Sequence, residues 1–242
     1  MAGLGILLLL NIAVFFGAFV SGLAGFAFSA VAGGILLHIL EPIEAVPLMM
    51  ACSVGVQATN LWALRNDIRW KDSLILVTGG LLGVPISIWL LHTIDPHLFR
   101  ALFGSAVAIY ASYMLLRRSL NCLQPMHRGR NVLVGFGGGI IGGLTAMPGA
   151  LPTIWCDIHG LPKNQQRAIV QPFIATIQVF ALALMLARND VSSRVFLDFA
   201  VSVPALLAGS ALGILAFRHV DELMFRRIVL LILLVSGVLL IR

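Results

Sequence analysis

Apolar residues in this chain run in blocks instead of alternating with polar ones. Six blocks approach the roughly 20 residues needed to cross a hydrocarbon layer: Ala45–Leu64, Ser73–Leu91, Leu98–Leu116, Ala168–Ala187, Val195–Phe217 and Phe225–Ile241. The strands of a membrane barrel would alternate in polarity. Continuous runs such as Ser73 to Leu91 do not, so the blocks predict helices. Two further stretches, Leu4–Leu40 and Val132–His159, fit neither one span nor two. Both are interrupted near the middle by small residues, and the second also by prolines. Gly22 and Gly25 are the predicted break points of the first, and Pro148, Gly149 and Pro152 of the second. Glycine lets the backbone leave helical geometry, and proline lacks the N–H that would continue it.

The two interrupted stretches begin matching halves. Ser21-Gly22-Leu23-Ala24 matches Gly142-Gly143-Leu144-Thr145 at an offset of 121, and Arg65-Asn66-Asp67-Ile68 matches Arg188-Asn189-Asp190-Val191 at 123. Asp95-Pro96-His97-Leu98-Phe99-Arg100 matches Asp221-Glu222-Leu223-Met224-Phe225-Arg226 at 126. The order is kept and the drift is what short loop insertions produce. The predicted fold is therefore an all-α, polytopic transmembrane bundle of two homologous repeats, each of about four or five segments and opened by a broken Gly-rich helix. Residues 1–120 form the first repeat, 121–131 a cytoplasmic linker and 132–242 the second. Internal duplication of this kind is common in secondary transporters.

Charge then orients the chain. Arg65, Arg69 and Lys71 lie two spans before Arg117, Arg118, Arg128 and Arg130, hence on the same side, and the positive-inside rule makes that side cytoplasmic. In the second half Lys163, Arg167, Arg218, Arg226 and Arg227 are inside if Val132–His159 returns to its own side. Arg188, Arg194 and Arg242 are inside if it crosses once. The first arrangement keeps more basic residues inside and makes the repeats inverted, and it is the one preferred.

Composition agrees. Hydrophobic residues make up 60% of the 242 positions and charged residues 11%, against about half and a quarter in a soluble domain. The net charge of +6 would suggest nucleic acid in a soluble protein, but the arginines gather at the ends of apolar runs, which excludes that reading. Cys52, Cys122 and Cys156 lack metal-ligand spacing, so neither a zinc site nor a disulfide framework is expected. The start, Met1-Ala2-Gly3-Leu4, has no positive n-region, so Leu4 onward reads as a first span and not a cleaved signal.

Over essentially its whole length the chain resembles the sulfite exporter TauE/SafE family of membrane permeases. The resemblance rests on Ser21-Gly22-Leu23-Ala24-Gly25-Phe26 followed by Glu41-Pro42. In the second half it rests on Gly135 to Gly143, then Pro148 to Pro152, then Gly160-Leu161-Pro162. Lys163 to Phe173 looks like a variant from one branch of that family. Many members carry Gly-Thr-Ser after an Ala-Val in each half. Here Ala45-Val46 is followed by Pro47-Leu48, and Ala168-Ile169 by Val170-Gln171, so those hydroxyls are missing. The resemblance implies transport of sulfite, an organosulfonate or a related anion across a bacterial inner membrane. The expected partners are a small anionic substrate and the lipid bilayer, with a homodimer left open and no cofactor, metal or nucleic acid.

An anion held in a low-dielectric interior needs donors already in place. Helix N-termini supply them without buried charge, and a broken membrane helix creates such an end at mid-depth. The motifs thus predict two facing tips around one central site, with Ser21, Gly22, Gly25, Thr145, Pro148, Gly149 and Thr153 as substrate-binding candidates and Ser29 flanking the first break. The same small residues also let membrane helices pack closely, and a lone membrane Ser or Thr usually bonds its own helical turn. Gln57 and Gln178, 121 apart and inside apolar spans, carry amides that lipid cannot satisfy. They are either ligands or interhelical glue. Gln171 shares a face with Gln178. Arg167 is either an oxyanion ligand or an interfacial anchor. Asp157 and His159 are either a proton relay or caps in the headgroup layer. A membrane metalloprotease would need His-Glu-x-x-His, which is absent, and a retinal protein a mid-span lysine, whereas Lys71 and Lys163 both lie in loops. An intramembrane enzyme and a non-transporting scaffold remain the competing classes.

Overall fold

A computed structural model describes residues 2–24, 27–116, 127–216 and 222–241. Among the described residues there are ten α-helices and no strand. In chain order they are α1 (Ala2–Ala24), α2 (Phe28–Ile39), α3 (Pro42–Leu64), α4 (Trp70–Thr93) and α5 (Pro96–Leu116), then α6 (Arg128–Thr145), α7 (Ala150–Ile158), α8 (Lys163–Ala187), α9 (Ser193–Ala216) and α10 (Glu222–Ile241). Five of them, α1, α4, α5, α8 and α9, are long and apolar enough to cross a membrane. Large apolar side chains such as Leu82, Trp89, Ile109 and Leu197 point outward. Lipid on that side makes such exposure favourable.

The predicted spans match the helices closely at their C-terminal ends, with α3, α5 and α8 stopping at Leu64, Leu116 and Ala187 as expected. The helices start two to five residues earlier than the apolar blocks, because polar first turns such as Lys163 to Gln166 are helical without being apolar. Local chemistry sets several ends. Pro42 and Pro96 occupy first helical positions, where the missing N–H costs nothing. Asp95 Oδ1 accepts the N–H groups of His97 (2.8 Å) and Leu98 (3.2 Å) at the start of α5. Asn189 closes α8 in a left-handed conformation (φ 58°), and the N–H of Asp190 bonds back to the Met185 carbonyl at 2.9 Å. The Arg188-Asn189-Asp190 triplet is thus a helix stop. Arg117, Arg118, Cys122 and Arg218 lie outside the described residues.

Glycine seams hold the bundle together. On α4, a Cβ at Gly79 or Gly83 would meet the Val132 or Phe136 carbonyl of α6, and one at Gly135 or Gly139 of α6 would meet the Leu76 or Gly80 carbonyl of α4. The two helices run parallel along this contact, the most extensive among the described residues. The second most extensive pairs α1 with α9, also in parallel: Gly209 and Gly213 sit against the Phe15 and Phe19 carbonyls, and Gly22 against Ser210. With no hydrophobic effect to drive helices together inside lipid, close backbone approach supplies the attraction. Exchanging α1 to α5 with α6 to α10 in order maps α1·α9 onto α6·α4 and α3·α9 onto α8·α4, and returns α5·α10 and α3·α8 to themselves.

The helix ends sort into two groups. At one, the Arg69 N–H donates to the Ala168 carbonyl (3.0 Å) and Arg69 Nη1 to Gln165 Oε1 (3.1 Å), joining the α3–α4 loop to the start of α8. Pro172 has no N–H to offer Ala168, so the loop satisfies a carbonyl that α8 leaves free. At the other, His92 at the end of α4 meets Asp190 after α8 (3.0 Å), and Arg194 at the start of α9 approaches Glu44 at the start of α3 (3.8 Å). Asp190 Oδ2 also lies 3.1 Å from Arg188 Nε, near enough for charge contact though not aligned as a hydrogen bond. Replacing Gly139 by Leu should therefore lower the stability of the purified protein, by about 1–3 kcal/mol for an overpacked site. Gly129→Ala, where an added Cβ meets open space, should leave it unchanged or slightly raised. Thermal unfolding in detergent reads both.

Candidate functional site

Both interrupted stretches are hairpins. α1 is followed by α2, which packs back on it, so that Gly17 faces Phe28 and Ala32. α6 is followed by α7, with Gly142 against Pro148 and Gly138 near the Pro148 carbonyl. Each hairpin turns through an alanine in the left-handed region, Ala27 (φ 81°) and Ala146 (φ 54°). An alanine there has no local side-chain bond to favour it, so surrounding contacts must hold the geometry. For Ala146 those contacts are explicit. Its carbonyl accepts Ser29 Oγ–H at 2.7 Å and Gln178 Nε2–H at 3.0 Å, one donor from each half of the chain.

The tips and two long helices enclose a cavity of about 330 Å³, open solvent included. Ala27, Ser29, Ala146, Pro148 and Gly149 line it from the hairpins. Ser53 and Gln57 of α3, Ile174 and Gln178 of α8, and Tyr110 of α5 complete the wall. The N-termini of α2 and α7, with Ala27 and Gly149 as their N-caps, carry no side-chain cap. Their first N–H groups have no partner within their own helices, although the Ala150 N–H donates to the Met147 carbonyl just ahead of α7 at 3.3 Å, and the positive ends of both dipoles meet at one place.

The wall is built from equivalent positions. α3 begins at Pro42 and α8 at Lys163, 121 residues later, so Gln57 and Gln178 are each the sixteenth residue of their helix, and Ser53 and Ile174 each the twelfth. Both glutamines are buried. Gln57 Oε1 accepts Asn60 Nδ2–H at 3.3 Å. Gln178 Oε1 is buried and has no hydrogen-bond partner among the described residues.

Of the residues singled out from sequence, Ser29, Gln57, Gln178, Pro148 and Gly149 thus come together around one cavity. The others are elsewhere. Gly22 lies within α1 against α9, the neighbouring Ser21 is buried, and Gly25 is outside the described residues. Thr145 Oγ1 donates to Ile141 one turn back (2.7 Å), and Thr153 is buried in the first turn of α7. Asp157 and His159 sit at the far end of α7. There Tyr113 Oη–H reaches Asp157 Oδ2 at 3.3 Å, and His159 Nδ1 is 2.9 Å from the Trp155 carbonyl. Trp155 Nε1–H in turn donates to Asn131 (2.9 Å). Arg167 is half-buried and Gln171 buried, both nearer the start of α8 than the cavity is. Sequence reasoning passed over Ser53, Tyr110 and the two alanines. Ser53 carried a signal, standing one turn before Gln57 on the same face.

A family model described as Sulfite exporter TauE/SafE matches residues 10–240 of the chain. Comparison with curated proteins and with solved structures finds no match.

The shared carbonyl of Ala146 allows a direct check. Ser29→Ala and Gln178→Met each leave it one donor, and each should cost about 1 kcal/mol. The double variant strands a buried carbonyl and should cost about 1 kcal/mol or more beyond the sum. Strict additivity in thermal unfolding would show that the two side chains do not serve one acceptor.

Proposed function

The chain belongs to the sulfite exporter TauE/SafE family, and we propose that it is a secondary transporter moving a small anion, such as sulfite, an organosulfonate or a related organic acid, across a bacterial inner membrane. The observation that carries this reading is the meeting of two uncapped helix N-termini, one from each half, at a cavity midway along α3 and α8. Backbone N–H groups and helix dipoles solvate an anion without a fixed counter-charge. Among the described residues no lysine or arginine lines that cavity, so nothing there would hold an anion too tightly to let it go.

On this reading residues 1–120 and 132–242 are inverted repeats joined by the cytoplasmic linker 121–131, with the first turn of α6 reaching back to Arg128. Two things support it. The parallel pairs α1·α9 and α6·α4 exchange under the repeat relation, and the loop bearing Arg65 and Arg69 shares an end with the start of α8, while Lys71, expected in that loop, is in the first turn of α4. The positive-inside rule makes that end cytoplasmic. Transport would proceed by one half rocking against the other about the central site, with Asp157 and His159 as a proton route on the cytoplasmic side.

Purified protein in proteoliposomes should take up radiolabelled sulfite, at a rate altered by an imposed pH gradient. Gln57→Leu and Gln178→Leu should reduce flux to background while leaving membrane insertion intact. Folded wild-type protein with neither flux nor binding would instead identify a scaffold.

A further inference from the structure

Gln178, on the cavity wall, carries one acceptor that the described residues leave unanswered, and that acceptor bears on which anions fit. Gln178 donates through Nε2 to the Ala146 carbonyl at 3.0 Å. A carbonyl oxygen can only accept, so this bond fixes the orientation of the amide: turned over, Oε1 would face another oxygen. Oε1 is therefore presented elsewhere. It is buried, belongs to a side chain 1% exposed on the cavity wall, and has no hydrogen-bond partner among the described residues. The equivalent atom of Gln57 accepts from Asn60, and the hydroxyl hydrogen of Ser29 is committed to Ala146. A buried amide oxygen left without a donor is costly unless something else supplies one.

Resting on the reading of this cavity as the transport site, we propose that it selects small oxyanions that still carry a hydrogen-bond donor, with Gln178 Oε1 receiving that donor. The unprotonated oxygens of such an ion face the N-termini of α2 and α7, and its O–H faces Gln178. A fully deprotonated oxyanion turns a lone pair toward Oε1 and is repelled. Monoprotonated oxyanions, hydrogen sulfite among them, satisfy both sides of the site. Such a carrier moves the proton on its substrate, so an ionisable side chain in the cavity is not required for proton-linked transport.

Hydrogencarbonate and nitrate separate the idea cleanly. Both are planar, singly charged and four heavy atoms in size, and only the first has an O–H. Each would be titrated as its sodium salt into purified full-length protein in detergent, at one pH and matched ionic strength, with sulfite as a third ligand and thermal unfolding as the readout. Hydrogencarbonate should bind at least about tenfold more tightly than nitrate, the discrimination expected when a buried polar group is left unpaired. In Gln178→Met, where Ser29 still holds Ala146, the difference should shrink to about twofold or less. Equal binding of the two ions by wild type, with sulfite bound, overturns the donor requirement and leaves the transport site standing. No stabilisation by any of the three, sulfite included, overturns the site itself. The wild-type comparison decides the matter even if the variant fails to fold.

Discussion

A backbone inside the hydrocarbon layer has no water to bond, so a helix can stop there only if protein or a wet cavity takes up the groups it frees. Two hairpins of this chain turn midway along the long helices, one ahead of α2, whose N-cap is Ala27, and one at Ala146 after α6, and the molecule is organised around answering what they leave open. On the carbonyl side the answer is protein: Ser29 and Gln178 both bind the Ala146 oxygen. The amide side has no side-chain cap at either tip. Both N-termini open on the cavity, and helix ends without a side-chain cap, a defect in a packed interior, are what an anion site requires.

That arrangement depends on seams far from the cavity. The tips face each other only because α1 lies against α9 and α6 against α4, and those contacts exist because glycines let backbone touch backbone. Prolines contribute in the same sense. Pro172 interrupts α8 and frees the Ala168 carbonyl, which the Arg69 N–H of the neighbouring loop then binds. A helix irregularity becomes a link between the two halves.

The charge distribution follows from the same economy. Contacts between ionisable side chains, such as His92–Asp190 and Arg194–Glu44, lie at helix ends, where desolvation is modest. Among the described residues, the polar groups lining the cavity are backbone, hydroxyl and amide. On the transport reading proposed above, binding is through dipoles, which are directional and weak individually, and a carrier that must also release its cargo is served by that.

Much of the membrane architecture is legible in the order of residues. Burial in lipid is nearly additive over side chains, so apolar blocks locate the long helices, and they err only where polar first turns such as Lys163 to Gln166 extend into the headgroup region. Gln57 and Gln178 are legible too, because an amide in an apolar span stands out and the repeat offset pairs them. The turns are not. Of the two glycines expected to break the first helix, Gly25 lies outside the described residues and Gly22 is a packing residue, while Ala27 and Ala146, whose side chains advertise nothing, take left-handed conformations at the two hairpins. Tyr110 likewise looks like an ordinary member of an apolar span until the helices cross, whereas Ser53, one turn before Gln57 on the same face, carried a signal. The chain itself determined what enters the membrane and which positions correspond between its halves, since both follow from residue type and spacing. Which glycines pack, which residues turn and which walls the cavity has were decided only by the tertiary structure, because they depend on contacts between segments that spacing along one chain does not encode.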